Sequence, residues 1–167
     1  MSNRDALSAF KVSAESYIAL VDAAESAERT ELFLDLASAL SGIYAAALEL
    51  PETEPSSTDP EADGLVPEDR PGALKRMEDM LGADDWYWTV APFLKEDAPE
   101  LLTGSLADDL MDVYHDLRDG LDHLRAGWPE TDVIWEWRFT FWSHWGEHAV
   151  NALQIIHARL AVEGHGR

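Results

Sequence analysis

At 167 residues the chain has the length of one domain and can bury enough surface for a single hydrophobic core. Its 33 aspartates and glutamates against 12 lysines and arginines give a formal charge of −21, which repels phosphate backbones and anionic lipid headgroups. The composition therefore argues against direct binding of nucleic acid or of a membrane, and a hydrophobic content of 46% argues against a disordered chain.

The first 25 residues contain no uninterrupted apolar region of the kind found in a signal peptide. They carry six charged residues, namely Arg4, Asp5, Lys11, Glu15, Asp22 and Glu25. We therefore expect a cytoplasmic protein. The chain has no cysteine, which excludes disulfide bonds and thiolate chemistry.

Two amphipathic helices are expected at the start of the chain. Apolar residues recur at spacings of three, four and seven from about Arg4 to Ala27, and again from Thr30 until Pro51. Thr30 is the predicted N-cap of the second helix. The short polar break between the two segments predicts an antiparallel helical hairpin.

Residues 51–71 are predicted to form a mobile acidic loop. They hold five of the eight prolines and, between Glu52 and Asp69, seven carboxylates, so they cannot bury enough apolar area to offset their ordering entropy. A shorter helix is predicted from about Gly72 to Leu81. The following segment alternates in the manner of a strand over residues 86–90, but no partner strand is evident, so the sequence favours a helical or irregular connection around Phe93.

Two further long helices complete the predicted fold. Ser105 is positioned to cap a helix with a leucine seam that runs to about Arg125, and Thr131 or Asp132 begins a last, long helix. The whole chain, residues 1–167, is predicted to be one all-α domain. Its expected architecture is an up-and-down bundle of four main helices plus a shorter fifth element.

The sequence HWGEH at residues 144–148 is the main candidate for chemistry. The order H-x-x-E-H is the zinc signature of inverzincin peptidases, which need a third protein ligand well downstream. Only 19 residues follow His148, and Glu163 is the sole acid among them, so a peptidase is disfavoured.

On a helix His144 and His148 lie one turn apart on the same face, and Asn151 extends that stripe. On the preceding helix, Asp109, Asp112 and Asp116 stand at i, i+3 and i+7 beside the leucine seam. If the two helices are antiparallel neighbours, these acids can face the histidines.

Two interpretations of that geometry remain open. In one, a metal ion (Zn²⁺, Mn²⁺ or Fe²⁺) next to a water position is bound by His144, His148, Asp112 and Asp116. Glu147 then acts as a general base. In the other, which the sequence favours, the imidazoles form hydrogen bonds with the carboxylates and no cofactor is present. The sequence assigns no catalytic residue.

The remaining polar and aromatic positions receive mainly structural interpretations. His115, Asp119 and Asp122 lie opposite the leucine seam and are predicted to be solvated, and His123 is a weaker site candidate near the acidic margin. Gly146 costs about 1 kcal/mol relative to alanine within a helix, so a large side chain such as Trp88 or Tyr114 is expected to pack over it.

The tryptophans of the last helix are predicted to belong mainly to the core. Trp135, Trp142 and Trp145 fit the apolar face of an uninterrupted α-helix, whereas Trp137 and Trp86 are the expected exposed members.

Three segments carry a family resemblance, namely IYAAALELP at 43–51, LADDLMDVYHDLRDGL at 106–121 and FWSHWGEHAVNAL at 141–153. They are similar to the bacterial domain-of-unknown-function family 5063, and the likeness covers most of the chain. The resemblance implies a small helical domain without an established activity, and a partner in nucleic-acid metabolism. The implied hallmark positions are Asp112, Tyr114, Asp116, His144, Trp145, Gly146 and His148.

Two functions follow as hypotheses. The favoured one is a non-enzymatic interaction or regulatory module, whose acidic surface imitates nucleic-acid charge towards a basic partner such as a nucleic-acid enzyme. The alternative is a metal-dependent hydrolase of phosphate esters or amides, with its site between the last two helices. The full candidate cluster is Asp109, Asp112, Tyr114, Asp116, His144, Trp145, Glu147, His148 and Asn151. The oligomeric state, monomer or homodimer, is left open.

Overall fold

Four long helical segments enclose the hydrophobic core of the computed structural model, which describes residues 3–56, 70–90 and 100–165. In chain order the helices are α1 (Asn3–Asp22), α2 (Arg29–Leu48), the shorter α3 (Arg70–Leu81), α4 (Leu106–Arg125), α5 (Glu130–Thr140) and α6 (Gly146–Leu160). A five-residue π turn, Phe141–Trp145, joins α5 to α6 in one continuous rod. The predicted all-α architecture, with four main helical segments and a shorter fifth helix, is confirmed.

The four segments form a closed ring around the core. Helix α1 packs against α2 and α4, α6 packs against α2 and α4, and α3 covers an outer side of α4. Within the described residues, α2 is the only helix long and apolar enough to cross a membrane, with a hydropathy of 1.4. In this fold its buried residues belong to the core, and they are Leu32, Phe33, Leu36, Leu40, Ile43 and Ala47.

Side chains at the helix starts supply hydrogen-bond partners for free backbone N–H groups. The Glu28 carboxylate accepts from the Glu31 N–H at 3.1 Å and caps α2, so the prediction of Thr30 as the cap is wrong. Ser105 caps α4 as predicted, because its hydroxyl oxygen accepts from the Asp108 N–H at 3.1 Å. Asp85 supports the same end by accepting from the Ala107 N–H at 2.8 Å.

Replacing Ser105 with alanine is expected to lower the free energy of unfolding by about 1 kcal/mol, because the Asp108 N–H loses its acceptor. Urea denaturation followed by circular dichroism measures the change. The matched control is Ser13→Ala, since the Ser13 hydroxyl bonds only to the Ala9 carbonyl within α1. Its removal should be close to neutral. Equal losses in both variants would contradict the capping role.

A small β-sheet replaces the irregular connection that the sequence favoured. Strand β1 (Trp86–Val90) pairs antiparallel with β2 (Leu101–Ser105), with Trp86 opposite Ser105 and Val90 opposite Leu101. The sequence prediction is wrong because β2, with the letters LLTGS, lacks an alternating pattern and leads directly into α4. Residues 91–99, including Phe93, lie outside the described part of the chain.

The predicted acidic loop at 51–71 is described only in part. The Thr53 hydroxyl donates to the Thr131 carbonyl at 2.8 Å, and the Ser56 N–H donates to Asp132 at 2.9 Å. These bonds hold the first loop residues along the start of α5. Residues 57–69 lie outside the described residues.

The π turn explains Gly146. The Gly146 N–H donates to the Phe141 carbonyl, five residues earlier, as a π turn requires. A Cβ atom at Gly146 would lie 2.3 Å from that carbonyl oxygen and 3.0 Å from the Phe141 ring. The neighbour is therefore Phe141, and the predicted packing of Trp88 or Tyr114 over Gly146 is wrong.

The burial of the tryptophans also differs from the prediction. Trp137 and Trp145 are fully buried, whereas Trp135 and Trp142 are exposed. The prediction was correct for Trp145 and for the exposed Trp86, and wrong for the other three. The buried face runs through residues 137, 141 and 145, and Trp135 and Trp142 lie outside it.

His115 is buried, although the sequence predicted a solvated position. The reason is that α4 is covered on more than one side, since α3 packs on it in addition to the ring helices. Asp119 and Asp122 remain partly exposed, in line with the prediction.

Candidate metal centre

Helix α4 and the end of the last rod bring the predicted acids and histidines together. His144 Nδ1 lies 2.7 Å from an Asp116 carboxylate oxygen, and His148 Nδ1 lies 2.8 Å from an Asp109 carboxylate oxygen. Asp109 and Asp116 lie two turns apart on α4, while His144 in the π turn and His148 in α6 lie about one turn apart on the opposite rod.

Asp112 lies between the other two ring nitrogens. Its Oδ2 atom is 3.2 Å from His148 Nε2 and 3.8 Å from His144 Nε2. One ligand atom from each of Asp112, His144 and His148 lies within 4.8 Å of the other two. Two imidazole nitrogens and one carboxylate oxygen therefore converge on a single small volume.

The hydrogen bonds determine which ring nitrogen is free. An ionised carboxylate can only accept, so Asp109 and Asp116 each bind a protonated Nδ1. In the neutral rings, the Nε2 lone pairs then point towards the Asp112 carboxylate. An unprotonated His148 Nε2 and an Asp112 carboxylate oxygen 3.2 Å apart are both acceptors and repel each other. A cation at this point, either a second proton on His148 or a metal ion, would remove the repulsion.

Tyr87 adds a further layer behind the histidines. Its hydroxyl donates to Asp109 Oδ2 at 2.5 Å, while the other Asp109 oxygen binds His148. The Tyr87 ring packs over Gly104 on the paired strand, where a Cβ atom would come within 2.3 Å of the ring. The β-sheet thus fixes the position of the Tyr87 side chain. Tyr87 in turn orients the Asp109 carboxylate, and Asp109 orients the His148 ring.

The electrostatics of the cluster favour positive charge. The hydrogen bond that His148 donates to Asp109 raises the pKa of His148, and the charges of Asp112, Asp109 and Asp108 act in the same direction against desolvation. Desolvation raises the pKa of Asp116, although its hydrogen bond to His144 opposes the shift. Desolvation and the neighbouring Asp112 charge raise the pKa of Asp108.

Several predicted site residues lie elsewhere. Tyr114 is buried, and its hydroxyl donates to Asp22 at 2.9 Å. Trp145 is a core residue whose indole N–H donates to the Trp137 carbonyl. Glu147 is exposed and Asn151 is half-buried, and neither belongs to the converging group.

His123 forms a separate pair at the far end of α4. Its Nδ1 lies 2.7 Å from Glu136, and its ring stacks on Trp128 with a centroid distance of 3.8 Å. Burial raises the pKa of Glu136, while its hydrogen bond to His123 lowers it. This pair satisfies polar groups at a helix interface and contains only one nitrogen ligand, so it is a structural contact.

Sequence reasoning missed Tyr87 and Asp108. Tyr87 reaches the cluster only through strand pairing, for which the sequence carries no clear signal. Asp108 is adjacent to Asp109 in the chain, and its charge acts on both His148 and Asp112. Asp108, the first aspartate of the pair at 108–109, was visible in the sequence, but its position beside the seam was not.

The structure defines a helical-bundle protein with a histidine and carboxylate cluster between two neighbouring helices. The chain belongs to the family described as Domain of unknown function (DUF5063), whose model matches residues 2–162. The fold is similar to the crystal structure of protein BF1032 from Bacteroides fragilis, with a TM-score of 0.74 and 23% sequence identity, over 89% of this chain and 88% of that one. No curated protein sequence matches the chain.

Proposed function

We propose that this protein binds one divalent transition metal ion, Zn²⁺, Mn²⁺ or Fe²⁺, through His144, His148 and Asp112. One observation carries the proposal. The Nδ1 atoms of His144 and His148 form hydrogen bonds with two different carboxylates. The Nε2 atoms of both rings lie near a third carboxylate, that of Asp112. Metal-ligating histidines are oriented in this way, because the carboxylate behind the ring fixes the tautomer and raises the basicity of the ligating nitrogen.

The distances support the proposal. Atoms that bind zinc tetrahedrally at 2.0–2.1 Å lie about 3.4 Å from one another. The two separations from Asp112 Oδ2, 3.2 Å and 3.8 Å, bracket that value. All three ligand atoms lie within 4.8 Å of one another, so rotation of the side chains would have to bring the two imidazole nitrogens towards the same spacing.

The arrangement gives Asp116 a different role from the one that the sequence suggested. Its carboxylate lies behind His144, on the Nδ1 side, and orients that ring while Asp112 supplies the carboxylate ligand. Three protein ligands leave at least one position for water, which is typical of catalytic rather than structural zinc sites. The proposed chemistry is therefore hydrolysis by a metal-activated water.

The surrounding charge narrows the substrate class. Asp108, Asp109, Asp112 and Asp116 contribute four carboxylates around the centre, and a divalent ion offsets only half of their charge. A negatively charged phosphate ester would be repelled from such a site. Between the two substrate classes that the sequence suggested, this charge favours a neutral or cationic amide.

Metal content tests the proposal directly. Protein purified without chelators and loaded with Zn²⁺ is expected to hold about one equivalent by elemental analysis, and His148→Ala is expected to hold none. The matched control is His157→Ala, which removes an exposed histidine from the same helix and should retain the metal. Circular dichroism checks that all three proteins remain helical. Metal retained by His148→Ala, or the absence of metal from the loaded native protein, would contradict the proposal.

The acidic surface favours a second candidate function, an interaction module for a basic partner such as a nucleic-acid enzyme. The supporting observation is a set of exposed aromatic side chains on α5 and the π turn, beside exposed carboxylates. Such a contact combines apolar burial with charge attraction, so its affinity falls as salt shortens the screening length. Neither function excludes the other, because they use different residues.

A further inference from the structure

Three large aromatic side chains lie exposed on one face of the last rod. Trp135, Phe139 and Trp142 are 37%, 57% and 66% exposed, and their spacing of i, i+4 and i+7 places them along a single stripe. The rings of Trp135 and Phe139 stack with a centroid distance of 5.2 Å. A contiguous aromatic stripe of this kind marks a binding surface more often than scattered exposed residues do.

A second wall turns the stripe into a groove. Residues 52–54 run beside the aromatic side chains, and together they enclose about 380 Å³. The wall is held in place by the hydrogen bond from Thr53 to the Thr131 carbonyl and by one of 2.6 Å from Arg138 to the Leu50 carbonyl. The groove is therefore a formed feature of the fold, with an apolar floor and a polar edge.

The edge of the groove is negatively charged. Glu52 and Glu54 are exposed on the wall, and the side chain of Glu52 is 92% exposed. Arg138, which also lines the groove, already binds the Leu50 carbonyl and lies 3.5 Å from Glu52. One positive and two negative side chains therefore line the groove, and the net charge of its rim is negative.

We propose that this groove binds a basic amphipathic helix of another protein. The apolar side chains of that helix would lie against Trp135, Phe139 and Trp142, and its lysines or arginines against Glu52 and Glu54. The three aromatic residues span about 10 Å along the rod, the distance that i, i+3 or i+4, and i+7 anchors cover on a partner helix. This inference rests on the second candidate function and is independent of the metal centre.

The probe is a synthetic 18-residue peptide of leucine and lysine, with leucine at i, i+3, i+4 and i+7. A scrambled peptide of the same composition keeps the charge and removes the apolar face. Isothermal titration at about 0.1 M salt is expected to show the ordered peptide binding at least about tenfold more tightly than the scrambled one.

Variants locate the contact. Trp142→Ala is expected to weaken binding of the ordered peptide at least about tenfold, and Phe139→Ala provides a second, independent test. Trp88→Ala is the matched control, because it removes an equally exposed tryptophan from β1, outside the residues that line the groove. Replacing Glu52 and Glu54 together with glutamine should reduce the salt dependence of binding.

The outcomes separate this inference from the function on which it rests. Equal binding of both peptides, unaffected by Trp142→Ala, would leave a charge-driven interaction module standing and overturn the groove. Failure of both peptides to bind would count against the module as well. A native dimer that Trp142→Ala converts to a monomer in sedimentation would assign the groove to a second copy of the chain and overturn the proposal of a basic helix.

Discussion

Gly120→Ala is expected to lower the free energy of unfolding by about 1–3 kcal/mol, the range for overpacking a well-filled core. A Cβ atom at Gly120 would lie 2.2 Å from Trp137 Nε1 and 2.3 Å from Trp137 Cε2. The ring has little room to move, because Trp137 is fully buried and packs on Phe10 with a centroid distance of 4.8 Å. Denaturant unfolding and the midpoint of thermal unfolding both measure the loss.

Gly42→Ala is the matched control for this prediction. Gly42 lies within α2, and no heavy atom lies within 4 Å of the Cβ position there. Alanine at that site should raise the free energy of unfolding by about 0.5–1 kcal/mol, since it reduces the entropy of the unfolded chain and favours the helix. A Gly120→Ala protein as stable as the native protein, or more stable, would contradict the close approach of Trp137 to Gly120.

Asp109→Asn is expected to lower the affinity for the metal ion about 10- to 100-fold, although Asp109 is not a ligand. The asparagine side chain has nearly the same shape but no charge, so it supports the His148 ring less well. It also replaces one of the two oxygens that now bind His148 and Tyr87. Competition with a fluorescent zinc chelator measures the affinity, and Asp119→Asn is the control, because Asp119 on the same helix pairs with Arg70.

The pH dependence of metal binding distinguishes orientation by Asp109 from a general loss of structure. Protons compete with the metal for His148, whose pKa is raised mainly by its hydrogen bond to Asp109. In the native protein, affinity should therefore begin to fall at a pH above the ordinary histidine value of about 6.5. In Asp109→Asn the fall should move to lower pH. An unchanged profile would mean that Asp109 does not act on His148.

The meeting of the histidines with the aspartates was predictable because both partners lie on helices with regular apolar seams and a short connection. Periodicity places Asp109, Asp112 and Asp116 beside one seam and His144 and His148 beside the other. It does not decide which carboxylate faces Nδ1 and which faces Nε2, since that depends on side-chain rotation. The distances place Asp112 on the Nε2 side of His148, and Asp109 and Asp116 on the Nδ1 sides of His148 and His144.

The β-sheet could not be predicted with the same reasoning. Strand β1 alternates between exposed and half-buried residues. Its partner β2 begins with two exposed leucines and contains a glycine, so it shows no such alternation. The glycine is informative only after pairing is known, because Gly104 makes room for the Tyr87 ring across the ladder. A two-stranded element of this kind depends on a tertiary contact, and a single sequence does not record that contact.

The tryptophan predictions failed because the last helix is not an unbroken α-helix, since residues 141–145 form a π turn. The buried residues Trp137, Phe141, Trp145 and Ala149 follow one another at three successive spacings of four. Buried residues recur at the same spacing in the regular helix α1, at Ala6, Phe10, Ala14 and Ile18, so the spacing alone could not indicate a π turn. A π turn holds more residues per turn than an α-helix, and this changes which side chains of residues 141–145 face the core.

The π turn also divides one continuous rod into two parts that carry different surfaces. The first half carries the aromatic groove, and the second carries His148 opposite α4. A π turn takes about one residue more than an α-helical turn to complete nearly the same rotation, so one residue removed from this turn would leave His148 facing Asp109. One residue removed from α6 between the turn and His148 would instead rotate His148 by about 100° and separate it from Asp109. The turn therefore lets the rod carry an additional residue without turning the His148 face of α6 away from α4.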